Sequence, residues 1–109
     1  MELAFETVSL RQLCENESVA VEKLGEEVAV NLKHRLADLR AADNPLELPV
    51  GNPKTLNGQY AGMYSIDVSK DVTIIFKPNH VSLPKTDSDE TDWSHVFRIK
   101  IINIGECNV

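Results

Sequence analysis

Two stretches decide the fold: NLKHRLADLRAADNPLELP at residues 31–49 and NGQYAGMYSIDVSKDVTIIFKP at residues 57–78. The first is the end of an amphipathic helix that runs into a proline-rich turn. Val21, Leu24, Val28, Leu32, Leu36 and Leu39 recur at steps of three and four, which makes one apolar stripe. Lys33, Arg35 and Arg40 follow in the last turns, where cations suit the negative end of the helix dipole. Asp43 and Asn44 end the helix, because the residue before Pro45 resists the helical region. The second stretch is a hairpin pattern. Tyr64, Ile66 and Val68 alternate with Ser65 and Asp67, as in a half-buried strand. Ser69-Lys70-Asp71 is a turn, and the β-branched run Val72 to Phe76 reads as a central strand buried on both faces.

The flanks extend this pattern. ELAFE at 2–6 alternates apolar and acidic residues, a short strand. Thr7 caps a helix over 8–15 with Leu10 and Leu13 inward. Asn16 or Ser18 caps the long helix, with Glu22, Glu26 and Glu27 near its start. Gly25 lies inside that helix, where glycine costs about 1 kcal/mol relative to alanine, and it reads as a close helix–helix approach. Residues 45–62, with three prolines and three glycines, connect helix to sheet, pinned by Leu46 and Leu48. Residues 78–92 read as a solvated, mobile loop. VFRIKIINI at 96–104 is the last strand, and its alternation changes phase near Ile101–Ile102, as a bulge produces. The expected fold is α+β: one domain over 1–109, with two N-terminal helices packed on a mostly antiparallel twisted sheet.

Composition excludes several classes. The chain has 109 residues and a net charge of -6, which opposes generic nucleic-acid binding. The bases nevertheless gather in the middle: residues 1–30 hold seven acids and two bases, whereas residues 31–77 hold five acids and six bases. No apolar run approaches the roughly 18 residues of a membrane span, and the N-terminus lacks the pattern of a secretory signal. The expected location is cytoplasmic, with no membrane partner. Cys14 and Cys107 are expected as free thiols. No CxxC or His/Cys cluster points to a metal, so neither a metal nor a cofactor is expected. His80 and His95 flank the loop without a third ligand at useful spacing, and Asp87, Asp89, Glu90 and Asp92 do not follow the pattern of a calcium loop.

LKHRLADLRAA at 32–42, PKTLNGQYAGMYSIDV at 53–68, TIIF at 73–76 and IINIGECN at 101–108 together resemble the RelE/ParE toxin superfamily, in its HigB-like branch. That branch reads "PxxLxGxxxGxxSIDL", then a strand "RLVF", then a terminal "IxxIGDYH". The resemblance implies a small α+β ribonuclease that cuts messenger RNA on the ribosome without metal. It also implies a helix-turn-helix antitoxin of HigA-like type as partner, with DNA met only through that antitoxin. The chain departs from the pattern at Thr73, where the branch has arginine, and at Glu106, Cys107 and Asn108, where it has Asp-Tyr-His. Asn108 hydrogen-bonds but does not shuttle a proton near neutral pH as histidine does.

Cleaving RNA without metal requires activating a 2′-hydroxyl, stabilising a pentacovalent phosphate and protonating a leaving oxygen. The candidate catalytic residues are Lys54 and Arg98, which position phosphate, and Glu106 and Asn108, near the reacting groups. Arg98 and Lys100 alternate on one strand and share a face. Lys33, His34, Arg40, Tyr60 and Lys77 are the candidates for contact with RNA or the ribosome. The alternative is a catalytically weak or silent relative that serves as a binding module for the antitoxin. A third reading, a separate enzyme with Cys107 as nucleophile, has no His–Cys spacing to support it.

Overall fold

The computed structural model describes residues 1–105. Its strands are β1 (Glu2–Phe5), β2 (Lys54–Thr55), β3 (Tyr64–Asp67), β4 (Thr73–Pro78) and β5 (Arg98–Gly105). They form one sheet in the order β1-β5-β4-β3-β2. β1 runs parallel to β5, and the other pairs are antiparallel. The helices α1 (Val8–Glu15), α2 (Glu17–Leu24) and α3 (Glu26–Ala41) all lie between β1 and β2 in the chain, so the crossover from the first edge to the second is helical.

Three helices stand where the sequence predicted two. Thr7 caps α1 by accepting from the Leu10 amide at 3.1 Å, and Asn16 caps α2 by accepting from Val19 at 3.2 Å. The expected long helix breaks at Gly25, whose φ of 87° and ψ of 160° lie in a region essentially reserved for glycine. The apolar stripe concealed the break because α2 and α3 both turn apolar residues inward, yet Val21 ends up partly exposed. Gly25 is not a close approach either: a Cβ there would meet nothing within 4 Å. Gly25→Ala is therefore expected to destabilise by about 1–3 kcal/mol, the opposite of a mid-helix glycine; urea unfolding with an unchanged slope checks this.

The helices cover one face of the sheet. Leu32, Leu36 and Leu39 of α3 pack with Tyr64, Ile66, Ile74, Phe76, Ile99 and Ile101 in a single core. Tyr64 stacks on Phe76 at 5.5 Å and meets the edge of Trp93 at 4.9 Å. β4 is central, as its β-branched run predicts, and Ile74, Ile75 and Phe76 are fully buried. The predicted bulge is present: Ile75 pairs with Asn103 but Phe76 pairs with Ile101, which leaves Ile102 as the extra residue. The connecting segment is pinned by Pro45 and Leu48, whereas Leu46 faces out at 62% exposure. Gly51 adopts φ 91° and accepts from the Asp67 amide at 2.6 Å. A Cβ there would sit 3.3 Å from both the Asp67 carbonyl and the Ile66 Cβ, so a glycine is needed where the segment crosses the end of β3. Residues 79–92 carry turns and a bridge between Lys85 and Thr91.

Candidate functional site

Register defines the second face of the sheet, the one away from the helices. Paired residues on neighbouring strands share a face, so the partners can be followed across as rows. One row is Lys54, Ser65, Ile75 and Asn103. The next holds Lys77, Lys100 and Ala4. Beyond it Asn79 donates its amide to the Arg98 carbonyl at 2.9 Å, and Arg98 pairs with Glu2. On the other side of the Ile75 row lie Asp67, Thr73 and Gly105.

Four cations thus share this face, Lys54, Lys77, Lys100 and Arg98. The outer two, the expected catalytic pair, do not meet. Three strand spacings and four residues of ladder separate Lys54 from Arg98, about 20 Å. Between them stand Lys77 and Lys100, directly opposite each other, with Cβ atoms about 5 Å apart. Lys100 follows Arg98 by two residues, about 7 Å, and Lys54 is about 12 Å from Lys77 by the same spacing. Like charges facing each other across a ladder are destabilising, so this pair reads as a place made for an anion. Arg98 is already engaged: its Nε meets Glu2 Oε2 at 2.6 Å, and its guanidinium lies 5.4 Å from the Phe97 ring centre.

Lys100 is the residue that the candidate list lacked. The alternation of the last strand placed it beside Arg98, but only register shows Lys77 across from it. Ser65 is the second addition. It is 1% exposed, and among the described residues its Oγ has no hydrogen-bond partner, which is costly for a buried hydroxyl. Ser65→Ala is expected to raise stability by about 1 kcal/mol or more, measured as a higher urea midpoint.

The remaining candidates lie elsewhere. Lys33, His34 and Arg40 are on α3, in the layer that covers the opposite face. Lys33 borders an apolar cavity of about 210 Å³ with Leu13, Cys14 and Leu36, and Arg40 borders a cleft at the β1 edge. Tyr60 closes a one-turn helix at Gly58–Tyr60 and is half-buried. Glu106, Cys107 and Asn108 lie outside the described residues. His80 Nε2 accepts from the Phe97 and Arg98 amides at 3.2 and 3.4 Å. His95 Nδ1 lies 2.7 Å from Asp92. Hydrogen bonds from Ser94 and then His95 hold that carboxyl below its ordinary range. Among the described residues, no group of three or more His, Cys, Asp or Glu is placed to hold a metal ion.

Cys14 is a free thiol on the helical side. Burial pushes its pKa up to about 12 from 9.0; Arg40 opposes the shift and Glu15 adds to it. The neutral thiol's contribution to stability is then complete below pH 9 and is lost as pH rises from there toward 12. Cys14→Ala should flatten that alkaline loss in a series of urea titrations.

No family model matches the chain, and no curated protein matches it. Solved structures do match. The YoeB-YefM toxin-antitoxin heterotetramer from Staphylococcus aureus is similar at a TM-score of 0.58 and 14% identity, over 100% of this chain and 98% of that one. The YoeB/ParE toxin from Agrobacterium tumefaciens has a TM-score of 0.59 and 11% identity, over 98% and 99%. YafQ from E. coli strain BL21(DE3) has a TM-score of 0.57 and 16% identity, over 96% and 91%. At these identities the likeness is one of fold, and the expected RelE/ParE-type α+β architecture is the one found. No helix among the described residues is long and apolar enough to cross a membrane.

Proposed function

We propose that the chain is the toxin of a type II toxin–antitoxin pair and a cytoplasmic, HigB-like ribonuclease that cuts messenger RNA on the ribosome. The observation that carries this reading is the Lys77–Lys100 pair, flanked by Lys54 and Arg98 on the sheet face that the helices leave free. Two facing ammonium groups are suited to the charge that builds on a pentacovalent phosphate. In the reaction the 2′-hydroxyl loses a proton as it attacks phosphorus, the bond to the 5′-oxygen breaks, and that oxygen takes up a proton. Lys77 and Lys100 hold the reacting phosphate, Lys54 and Arg98 hold its neighbours, Glu106 serves the proton transfers, and Asn108 hydrogen-bonds beside the reacting groups. Lys33, His34 and Tyr60 contact ribosomal RNA from outside that face. The partner is an antitoxin, as the toxin of similar fold from S. aureus has one, YefM; its helix-turn-helix type rests on the HigB-like resemblance alone, and DNA is reached only through it.

The test is growth after induced expression, with and without the adjacent open reading frame, followed by mapping of messenger RNA ends. Arrest that the neighbour relieves, with new cuts confined to translated messages, supports the proposal. Arrest without cuts refutes the ribonuclease assignment.

A second reading, a silent binding module for the same antitoxin, is favoured by one feature. Among the described residues, the second face holds cations, Ser65, Asn103, Asp67 and Glu2 in its rows, but no histidine or tyrosine to move a proton. A folded chain that binds the neighbour's product and neither arrests growth nor cuts RNA would establish this reading instead.

A further inference from the structure

The helical layer is not completely filled. α2 and α3 lie on either side of Gly25, and each turns an alanine inward, Ala20 at 5% and Ala29 at 6% exposure. Larger side chains at such facing positions would interdigitate to native density. The two alanines instead line the apolar cavity of about 210 Å³, which Leu13 of α1 and Leu32 and Leu36 of α3 complete. Leu32 and Leu36 are almost wholly buried and form its floor. An apolar cavity of about 150 Å³ stays dry and takes up benzene, so this one has room for a ring and a short chain.

The mouth of the cavity is polar and its charges do not balance. Glu15 closes α1, Glu17 opens α2 and Lys33 stands on α3, and all three are exposed rim residues of the cavity. None of them makes an ion pair among the described residues. Two carboxylates against one ammonium leave a negative mouth over an apolar interior. Cys14 joins the two zones as a neutral thiol, since burial pushes its pKa up to about 12, with Arg40 opposing and Glu15 adding to the shift. An anion entering here meets two like charges. A molecule without a polar head leaves both carboxylates unmatched. An apolar body with a cationic head satisfies both zones.

We propose that this cavity is a binding site for a small primary arylalkyl amine, whose ring enters between Ala20 and Ala29 onto Leu32 and Leu36 and whose ammonium group donates to Glu15 and Glu17 at the mouth. Burial of the ring supplies the affinity. Charge-assisted hydrogen bonds at the rim select the head group. The cavity lies in the helical layer, on the other side of the sheet from the Lys77–Lys100 pair, so the site stands or falls independently of RNA cleavage.

The probes are phenethylamine and hydrocinnamate, which share a ring and a two-carbon spacer and carry opposite charges. Binding to the intact chain is read by titration calorimetry and by the methyl resonances of Ala20 and Ala29. The amine is expected to bind with a Kd on the order of 0.1–1 mM and to shift both methyls, and the carboxylate to bind about tenfold more weakly or not at all. The exposed double variant Glu15→Gln/Glu17→Gln, checked for an unchanged melting temperature, should lose about tenfold in affinity for the amine and no longer prefer it to the carboxylate. Ala29→Leu fills the cavity and should abolish binding. Three results overturn the proposal: no binding of the amine up to about 10 mM, equal binding of both probes, or binding that leaves the two alanine methyls unmoved. A folded Ala29→Leu variant that still takes the amine, or a Gln variant that keeps its full affinity, overturns it as well.

Discussion

Replacing Lys77 and Lys100 together by alanine is expected to abolish the proposed RNA cleavage while leaving the chain folded and slightly more stable. The two effects have opposite signs because they share one cause. The side chains face each other across β4 and β5, and relieving a directly opposed like-charge pair returns about 0.2–1 kcal/mol, less whatever packing the lysine stems provide. Losing a donor to developing charge costs about 10²–10³ in rate for each group removed. Binding can be measured without turnover: on a single-stranded RNA, the slope of log affinity against log salt should fall by about 1.4, two contacts at about 0.7 each. Lys54→Ala and Arg98→Ala lie at the ends of the row and should cost less, because each removes one outer contact and Arg98 already has Glu2 as a partner. If the double variant still cuts and binds as the parent does, the reacting phosphate is not on this face.

That experiment also separates what the sequence specified from what it concealed. Period and turn chemistry disclosed β3, β4, the bulge near Ile102 and the caps at Thr7 and Asn16, because each depends on residues adjacent in the chain. Gly25 misled, since a glycine at φ 87° and a glycine inside a helix look alike in a string of letters, and the apolar stripe continues through the break. The site was half legible. Lys54, Lys77 and Arg98 could be named as candidate cations from their chemistry and from the family likeness, with Lys54 placed in the connecting segment. Which of them meet could not, because facing pairs are set by register between strands some twenty residues apart. Lys100 becomes important only when β5 is laid against β4, and the parallel pairing of β1 with β5, which creates the cleft at that edge, joins the two ends of the chain. Ser65 alternates as a surface residue should, yet it is only 1% exposed.

Phe76→Ala is expected to cost about 3–5 kcal/mol, the largest effect of any single substitution considered. Phe76 is fully buried at the centre of the sheet, stacked on Tyr64, with Ile101 beside it on β5. The cavity it leaves cannot collapse easily, since its lining is held on one side by two hydrogen-bonded strands and on the other by the leucines of α3. A chain of this size has about 5–15 kcal/mol of stability in total, and each kcal/mol moves the melting temperature by about 4–8 °C in domains of up to 100 residues. The variant should therefore melt some 12–40 °C lower, or be recovered unfolded. Phe97→Ala is the control: it removes an aromatic ring of the same size, but one that is 52% exposed, with His80 at right angles to it and the Arg98 guanidinium over it. Its cost should stay near 1 kcal/mol or below. Equal losses from the two substitutions would mean that β4 is not the buried centre of the sheet. The Lys77–Lys100 row is aligned through that same strand, so a misplaced Phe76 would undo the site together with the core.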